Sequence, residues 1–220
     1  MLAHISFDVW GTLLKSNFDF NRQRAIFLKN NFSLLLSIDQ IIAIVKQNGT
    51  EINSCQEANK IQVSRELIFT PLCEKLNIPI SNDIISQIDK SFQLIFIEYP
   101  PIIFHSEYAN ILKMLMVKGH TLSILSNTVY IKGEFISIVL HNILNENIFS
   151  FELYSDEVGF PKPSFKIYSL LKEMANNRKR IIHIGDNYLC DIQGPLEFGI
   201  ITKQVHTNNV FITDFAYELE

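Results

Sequence analysis

The sequence predicts an α/β protein, a doubly wound parallel sheet whose first strand is followed by an all-helical insertion. Three observations carry this. Five short apolar runs, at 2–7, 121–125, 148–154, 181–184 and 201–205, each end close to polar or glycine-containing sequence, as strands buried on both faces do. Helical patterns alternate with the last four runs, which is the arrangement that builds a parallel sheet. Between 15 and 99 there is no good strand, only apolar residues recurring at three- and four-residue spacing.

Taken in chain order, the insertion divides into helices at 18–31, 38–47, 63–76 and 82–97. Ser81-Asn82-Asp83 supplies the N-cap chemistry for the last of these. Pro100-Pro101 then resets the chain to extended geometry. The segment 107–119 places Ile111, Leu112, Leu115 and Met116 on one stripe and stops at Gly119, a C-terminal signal. Further helices are expected at 131–142, 164–175 and 191–198, the last followed by Gly199. The expected division is 1–14 with 100–220 as the core, and 15–99 as the helical insertion.

Composition narrows the function. With 220 residues, 47% of them hydrophobic and 19% charged, the chain has material for one core carrying a modest insertion. The net charge is −4 and no basic run occurs, which argues against nucleic acid or an anionic membrane surface as partner. Cys55, Cys73 and Cys190 have no paired spacing, so free thiols are expected rather than disulfides or a thiolate metal site. The opening LAHISFDVW has no leader pattern. The most apolar stretch is broken by Asp39 and Gln40, too polar to span a bilayer. A soluble, cytoplasmic protein is expected.

Ligands of doubly wound sheets bind beyond the carboxyl ends of the strands, so the polar residues there are read together. The first strand ends in Asp8, with Thr12 following across Gly11; the second ends in Ser126 and Asn127. Lys162 stands between two prolines at a helix entrance after the third, and Asp186 with Asp191 follows the fourth. A nucleophilic carboxylate, a hydroxyl, a lysine and an acidic pair suit a phosphoryl group together with Mg²⁺. The cation takes hard oxygen ligands, while lysine and hydroxyl donors hold phosphoryl oxygens.

In these four motifs the chain resembles the haloacid dehalogenase-like hydrolases. That family orders a strand-end D-x-D-x-T, a strand-end Ser or Thr, a Lys before a helix and a G-D-x(3–4)-D pair. The matches here are Asp8 with Thr12, Ser126, Lys162, and Asp186 with Asp191. The resemblance implies a Rossmann-like core of strand order 3-2-1-4-5, with residues 15–99 as a helical cap over a small phosphorylated substrate. It implies Asp8 as covalent nucleophile, assisted by Thr12, Ser126 and Lys162. Gly11, Ser126, Asn127 and Lys162 would bind substrate, and Mg²⁺ would be held by Asp8, the Trp10 carbonyl, Asp186 and Asp191.

One position departs from the pattern. Phosphatases of the family carry a second aspartate two residues after the nucleophile, as general acid and base; here Trp10 stands there. An indole cannot exchange protons in that way. The leading expectation is therefore a Mg²⁺-dependent phosphohydrolase suited to good leaving groups. Two alternatives stand beside it. One is a 2-haloacid dehalogenase, whose family pattern has an aromatic residue at that position but uses no metal and lacks the acid matched by Asp186. The other is a catalytically weak member kept for ligand or partner binding. His183, inside an apolar strand, reads as a satisfied core histidine, and Arg22 and Arg24 as solvated helix positions.

Overall fold

In a computed structural model, residues 2–144, 148–176 and 180–205 are described. The chain opens with β1 (His4–Phe7), followed by a short β2 (Leu14–Lys15) and four helices: α1 (Phe18–Asn31), α2 (Ile38–Asn59), α3 (Arg65–Leu76) and α4 (Asn82–Glu98). After β3 (Ile102–Ile103) come α5 (Tyr108–Val117), β4 (Thr121–Ser126), α6 (Gly133–Leu144), β5 (Phe149–Tyr154), α7 (Ser155–Val158) and α8 (Phe165–Met174). The described chain closes with β6 (Ile181–Gly185), a π-helical turn (Tyr188–Gln193), α9 (Gly194–Glu197) and β7 (Ile201–Gln204). Among the described residues no helix is long and apolar enough to cross a membrane.

The main sheet has five strands in the order β5-β4-β1-β6-β7, all pairs parallel. Numbered among themselves, these strands run 3-2-1-4-5, as the family resemblance implied. All four residues of β1 are buried, because this strand has neighbours on both edges and helices on both faces. His4 is among them, donating and accepting through Thr121 and Ser123 at 2.8 Å each.

The helices of the insertion follow their expected starts and ends, with one large exception. Ser37 and Gln40 form a reciprocal capping box that starts α2. This helix continues to Asn59, twelve residues past the expected end at 47. Gly49 lies inside it, where a Cβ would stand 3.0 Å from the Tyr130 ring. Glycine at this position lets an aromatic from the β4–α6 connection pack on the helix, and the helix passes through it. Ser81 caps α4 as expected, accepting from Ile84 N–H. A second difference is the antiparallel pairing of β2 with β3. These two-residue strands lie at the two connections of the insertion, too short to show periodicity.

The insertion is stitched to the β4–α6 connection by polar contacts. Arg65 donates to Asp89 and to the carbonyls of Val129 and Tyr130, the last two at 2.5 Å. Gln93 donates to the Tyr130 carbonyl at 2.8 Å, and Gln56 to the Thr128 carbonyl at 3.1 Å. Each closes the hydrogen bonding of a backbone group that no strand satisfies.

The last helix also differs from expectation. In place of a helix over 191–198, the chain makes a π turn from Tyr188 and restarts as α9 at Gly194. Gly194 N–H reaches back five residues to Leu189. Pro195, with no N–H to donate, cannot continue the regular pattern. His206 lies outside the described residues.

Candidate active site

Register places the site. Phe7 pairs with Ile124 on one side and Ile184 on the other, so the next residues, Asp8, Leu125 and Gly185, end their strands level. Ser126 and Asp186 follow by one residue. Asp8 N–H donates to the Ile184 carbonyl at 2.9 Å, extending the ladder to Asp8 itself. The turn that follows is closed by three hydrogen bonds to the Val9 carbonyl, from Thr12, Leu13 and Leu14. Gly11 takes φ +77°, and a Cβ there would stand 2.3 Å from Asp186 Oδ2. The turn therefore needs glycine both for its left-handed backbone and for the room it gives Asp186.

Lys162 is 2% exposed and donates to Asp8 Oδ1 at 2.8 Å and to Asp191 Oδ1 at 2.6 Å. Burial alone would lower its pKa, but the carboxylates of Asp191 and Asp8 hold it above the usual lysine range. Its backbone is fixed by Asn127, whose Oδ1 accepts from Lys162 N–H at 2.6 Å and whose Nδ2 donates to the Lys162 carbonyl at 2.9 Å. Ser126 Oγ donates to Asp8 Oδ1 at 3.2 Å. Thr12 Oγ1 is buried with no partner among the described residues.

Asp191 is the most fully held of the acids. Besides Lys162, it accepts from Asn187 N–H on Oδ2 at 2.9 Å and from His183 Nε2 on Oδ1 at 3.0 Å. An ionised carboxylate only accepts, so His183 carries its proton on Nε2 and accepts from Ser6 on Nδ1, 3.1 Å away. Burial raises the Asp191 pKa, but Lys162 and His183 outweigh it and leave the group ionised, below the usual range. His183 is thus a core histidine, as read from sequence, and also the inner support of Asp191. Burial raises Asp8, against the opposing charge of Lys162. Asp186 is pushed up to about 6, first by burial and then by Asp8 and Asp191.

Asp8, Asp186 and Asp191 each offer a carboxylate oxygen within 4.8 Å of the other two. Three carboxylates share this largely buried site with one ammonium, that of Lys162. The donor set is all hard oxygen. The residues fit a divalent cation of the Mg²⁺ type.

Glycine again makes the approach possible at β6. A Cβ on Gly185 would meet Asp191 Cγ at 2.3 Å, and Asp191 cannot retreat because Lys162, His183 and Asn187 all hold it. Gly185→Ala should destabilise the protein by about 1–3 kcal/mol, the usual cost of overpacking. Thermal melting is the check, with Gly159→Ala as comparison, since nothing lies within 4 Å of a Cβ there. That control has φ +81° and its own left-handed cost; a Gly185→Ala loss no larger than the control's would show that Asp191 has freedom to move.

Above the cluster lies a cavity of about 780 Å³, lined from the core by Asp8, Trp10, Lys162, Asp186 and Asp191 and from the insertion by Phe20, Arg24, Asn53 and Glu57, among others. Trp10 therefore lines the pocket, its ring edge-on to Phe96 at 6.0 Å. Glu57 was not singled out in the sequence. It lies on the part of α2 beyond Gly49, where Oε1 accepts from Asn53 at 2.8 Å and from Asn187 at 3.2 Å. Arg22 is exposed as expected, whereas Arg24 is buried. It shares the inner face of α1 with Phe20 and Leu28, four residues to either side, a position the lone charge made look solvated.

With fold and site described, comparison with known proteins decides the family. The sequence model of a family described as hydrolase, haloacid dehalogenase-like hydrolase, matches residues 2–199. The chain belongs to the haloacid dehalogenase-like hydrolases. A human relative, haloacid dehalogenase-like hydrolase domain-containing protein 3, is 42% identical over 53 residues, covering 24% of this chain and only 21% of that protein. Among solved structures of this family's fold, the HAD-hydrolase YfnB of Bacillus subtilis, bound to magnesium, matches at TM-score 0.71 and 18% identity, over 100% of this chain and 99% of that one. The L-2-haloacid dehalogenase of Xanthobacter autotrophicus, with chloropropionic acid covalently bound, matches at 0.65 and 15%, over 97% and 81%. A Thermotoga maritima protein assigned by similarity as a β-phosphoglucomutase gives 0.65 and 19%, over 98% and 91%. At these identities the likeness is one of fold, and both phosphoryl and carbon–halogen chemistry occur among the neighbours.

Proposed function

We propose that this haloacid dehalogenase-like hydrolase is a Mg²⁺-dependent phosphohydrolase acting on a small phosphorylated molecule. The observation that carries the reading is the acidic triad. Asp186 stands beside Asp8 and Asp191, a carboxylate oxygen of each within 4.8 Å of the others, and a halide-releasing site that works without metal has no use for this third carboxylate. The dehalogenase pattern shares the aromatic residue at Trp10 but lacks the acid at Asp186.

In this reading Lys162 and Ser126 hold Asp8 Oδ1, leaving Oδ2 to attack phosphorus in line. The Oδ2–P bond forms as the P–O bond to the leaving group breaks, giving an aspartyl-phosphate. Water then attacks that phosphorus, releasing inorganic phosphate and restoring Asp8. Lys162, Ser126 and the orphan Thr12 hydroxyl face the charge that builds on the equatorial oxygens. Asn127 serves by fixing the lysine's backbone, and His183 by holding Asp191. Asp8, Asp186, the Trp10 carbonyl and Asp191 would hold the cation, which when bound neutralises phosphoryl charge. The helices of residues 15–99 act as the cap that covers the substrate and excludes water.

The test is product release from a panel of phosphorylated metabolites and 2-haloacids, each with Mg²⁺ and after chelation. Phosphate release that disappears with chelator and returns with Mg²⁺ is expected. Halide release indifferent to chelator would replace this reading with the dehalogenase one. Release of neither product would favour a binding role.

A further inference from the structure

Arg24 has no part in the chemistry proposed above. It is 8% exposed, and a guanidinium is rarely buried without an anion. Among the described residues none is paired with it. Its one side-chain bond is from Nη2 to Asn21 Oδ1, at 2.5 Å, while Nε is buried with no partner. The charge is instead enclosed by rings: Phe20 at 4.1 Å, Phe92 at 5.1 Å and Tyr130 at 5.5 Å from the guanidinium carbon. Cation–π contact offsets part of the desolvation, yet burial still pulls the group down to about 10.

The surroundings keep the side chain in place. Tyr130 accepts from Asn48 at 2.8 Å and donates to the Val45 carbonyl at 3.1 Å, so the cage is itself rigid. Arg24, Phe20 and Tyr130 line the same cavity as Asp8 and Lys162. A fixed fork donor, held by no anion among the described residues, therefore borders the space a substrate would fill, on the wall that the insertion contributes.

We propose that Arg24 binds a carboxylate on the substrate, at the end remote from the phosphoryl group. The inference rests on the phosphohydrolase reading for the orientation of the substrate. A carboxylate fits better than a second phosphate because one buried guanidinium supplies one full positive charge and a planar fork. Of the two lysines on the cavity wall, Lys162 is held by Asp8 and Asp191 and Lys46 is exposed. The substrate class is then a small phosphorylated carboxylic acid whose apolar stem lies against Phe20 and Tyr130.

The test uses non-hydrolysable ligands, so that binding is read apart from turnover. Binding of 3-phosphonopropanoate, its carboxamide and propane-1,3-bisphosphonate is measured by calorimetry with Mg²⁺ present. Wild type should bind the carboxylate at least tenfold more tightly than the carboxamide. Arg24→Met should erase that preference, and Arg24→Lys should restore part of it, with thermal melts showing that both variants are folded. Equal affinity for carboxylate and carboxamide, or a preference that survives Arg24→Met, would overturn the assignment, as would failure of either to bind. Tighter binding of the bisphosphonate would overturn the choice of carboxylate. Ser126→Ala separates the two readings. If the phosphoryl end sits at Asp8, this change weakens all three ligands alike; lost Ser126 dependence with an intact carboxylate preference indicts the phosphohydrolase reading and leaves Arg24 standing.

Discussion

Asp8→Asn should lower phosphate release by at least about four orders of magnitude, since removal of a covalent nucleophile is among the costliest changes to such an enzyme. The amide keeps the size of the carboxylate, and Lys162 keeps its other anchor on Asp191, so the fold should survive the change. What is lost is the oxygen that bonds to phosphorus. Beryllium fluoride with Mg²⁺ should form an adduct on wild-type Asp8, because its tetrahedral geometry resembles an acyl-phosphate, and none on the variant. Fluorine NMR and phosphate release together make the check. Turnover retained by a folded Asp8→Asn would mean that water, not Asp8, attacks the substrate.

The second large effect concerns proton supply. Trp10 lines the pocket where the family's phosphatases carry an acid, and general acid catalysis is worth roughly a hundred- to ten-thousand-fold. Aryl and acyl phosphates, which depart without a proton, should be cleaved faster than alkyl phosphates by a factor in that range. Trp10→Asp should narrow the gap, while Trp10→Asn, matched in size but unable to exchange a proton, should not. Loss of the ring from its contact with Phe96 carries a cavity cost of about 3–5 kcal/mol, so melts accompany the kinetics. Should Trp10→Asp gain nothing over Trp10→Asn, the donor lies elsewhere. Glu57 is then the first candidate, because it is the carboxylate that the insertion adds to the cavity wall. In that case Glu57→Gln would slow alkyl phosphates and leave aryl phosphates nearly unaffected.

Local pattern was sufficient for much of this molecule. β1, β4 and β6 lie inside the sheet and are largely apolar because both faces are covered, with β5 and β7 outside them; all five fell within one or two residues of their expected runs. Polar residues at the ends of those strands had no place in the core, which made Asp8, Ser126, Lys162, Asp186 and Asp191 visible before any coordinates. Local signals failed where a distant residue supplied the reason. Nothing in the local pattern past Gln47 announced that α2 runs on to Asn59, with Gly49 inside it against the Tyr130 ring. With the helix cut short, Glu57 had no position to be read from. Arg24 read as a solvated charge, because nothing in its own helix reveals that Phe92 and Tyr130, from remote segments, will enclose it. Asn127 and His183 were legible as residues but not as supports, since that role rests on side-chain bonds to Lys162 and Asp191 that only the folded geometry forms.

The sequence by itself determined the doubly wound sheet, the helical insertion and the set of groups at the strand ends, because burial on both faces and the chemistry of a strand terminus are written in neighbouring residues. Only the tertiary structure decided which of those groups touch, how the lysine divides itself between two carboxylates, and what the insertion brings to the cavity. Those include contacts between segments 154 positions apart; their geometry follows from strand register and helix packing, which no local run of residues specifies.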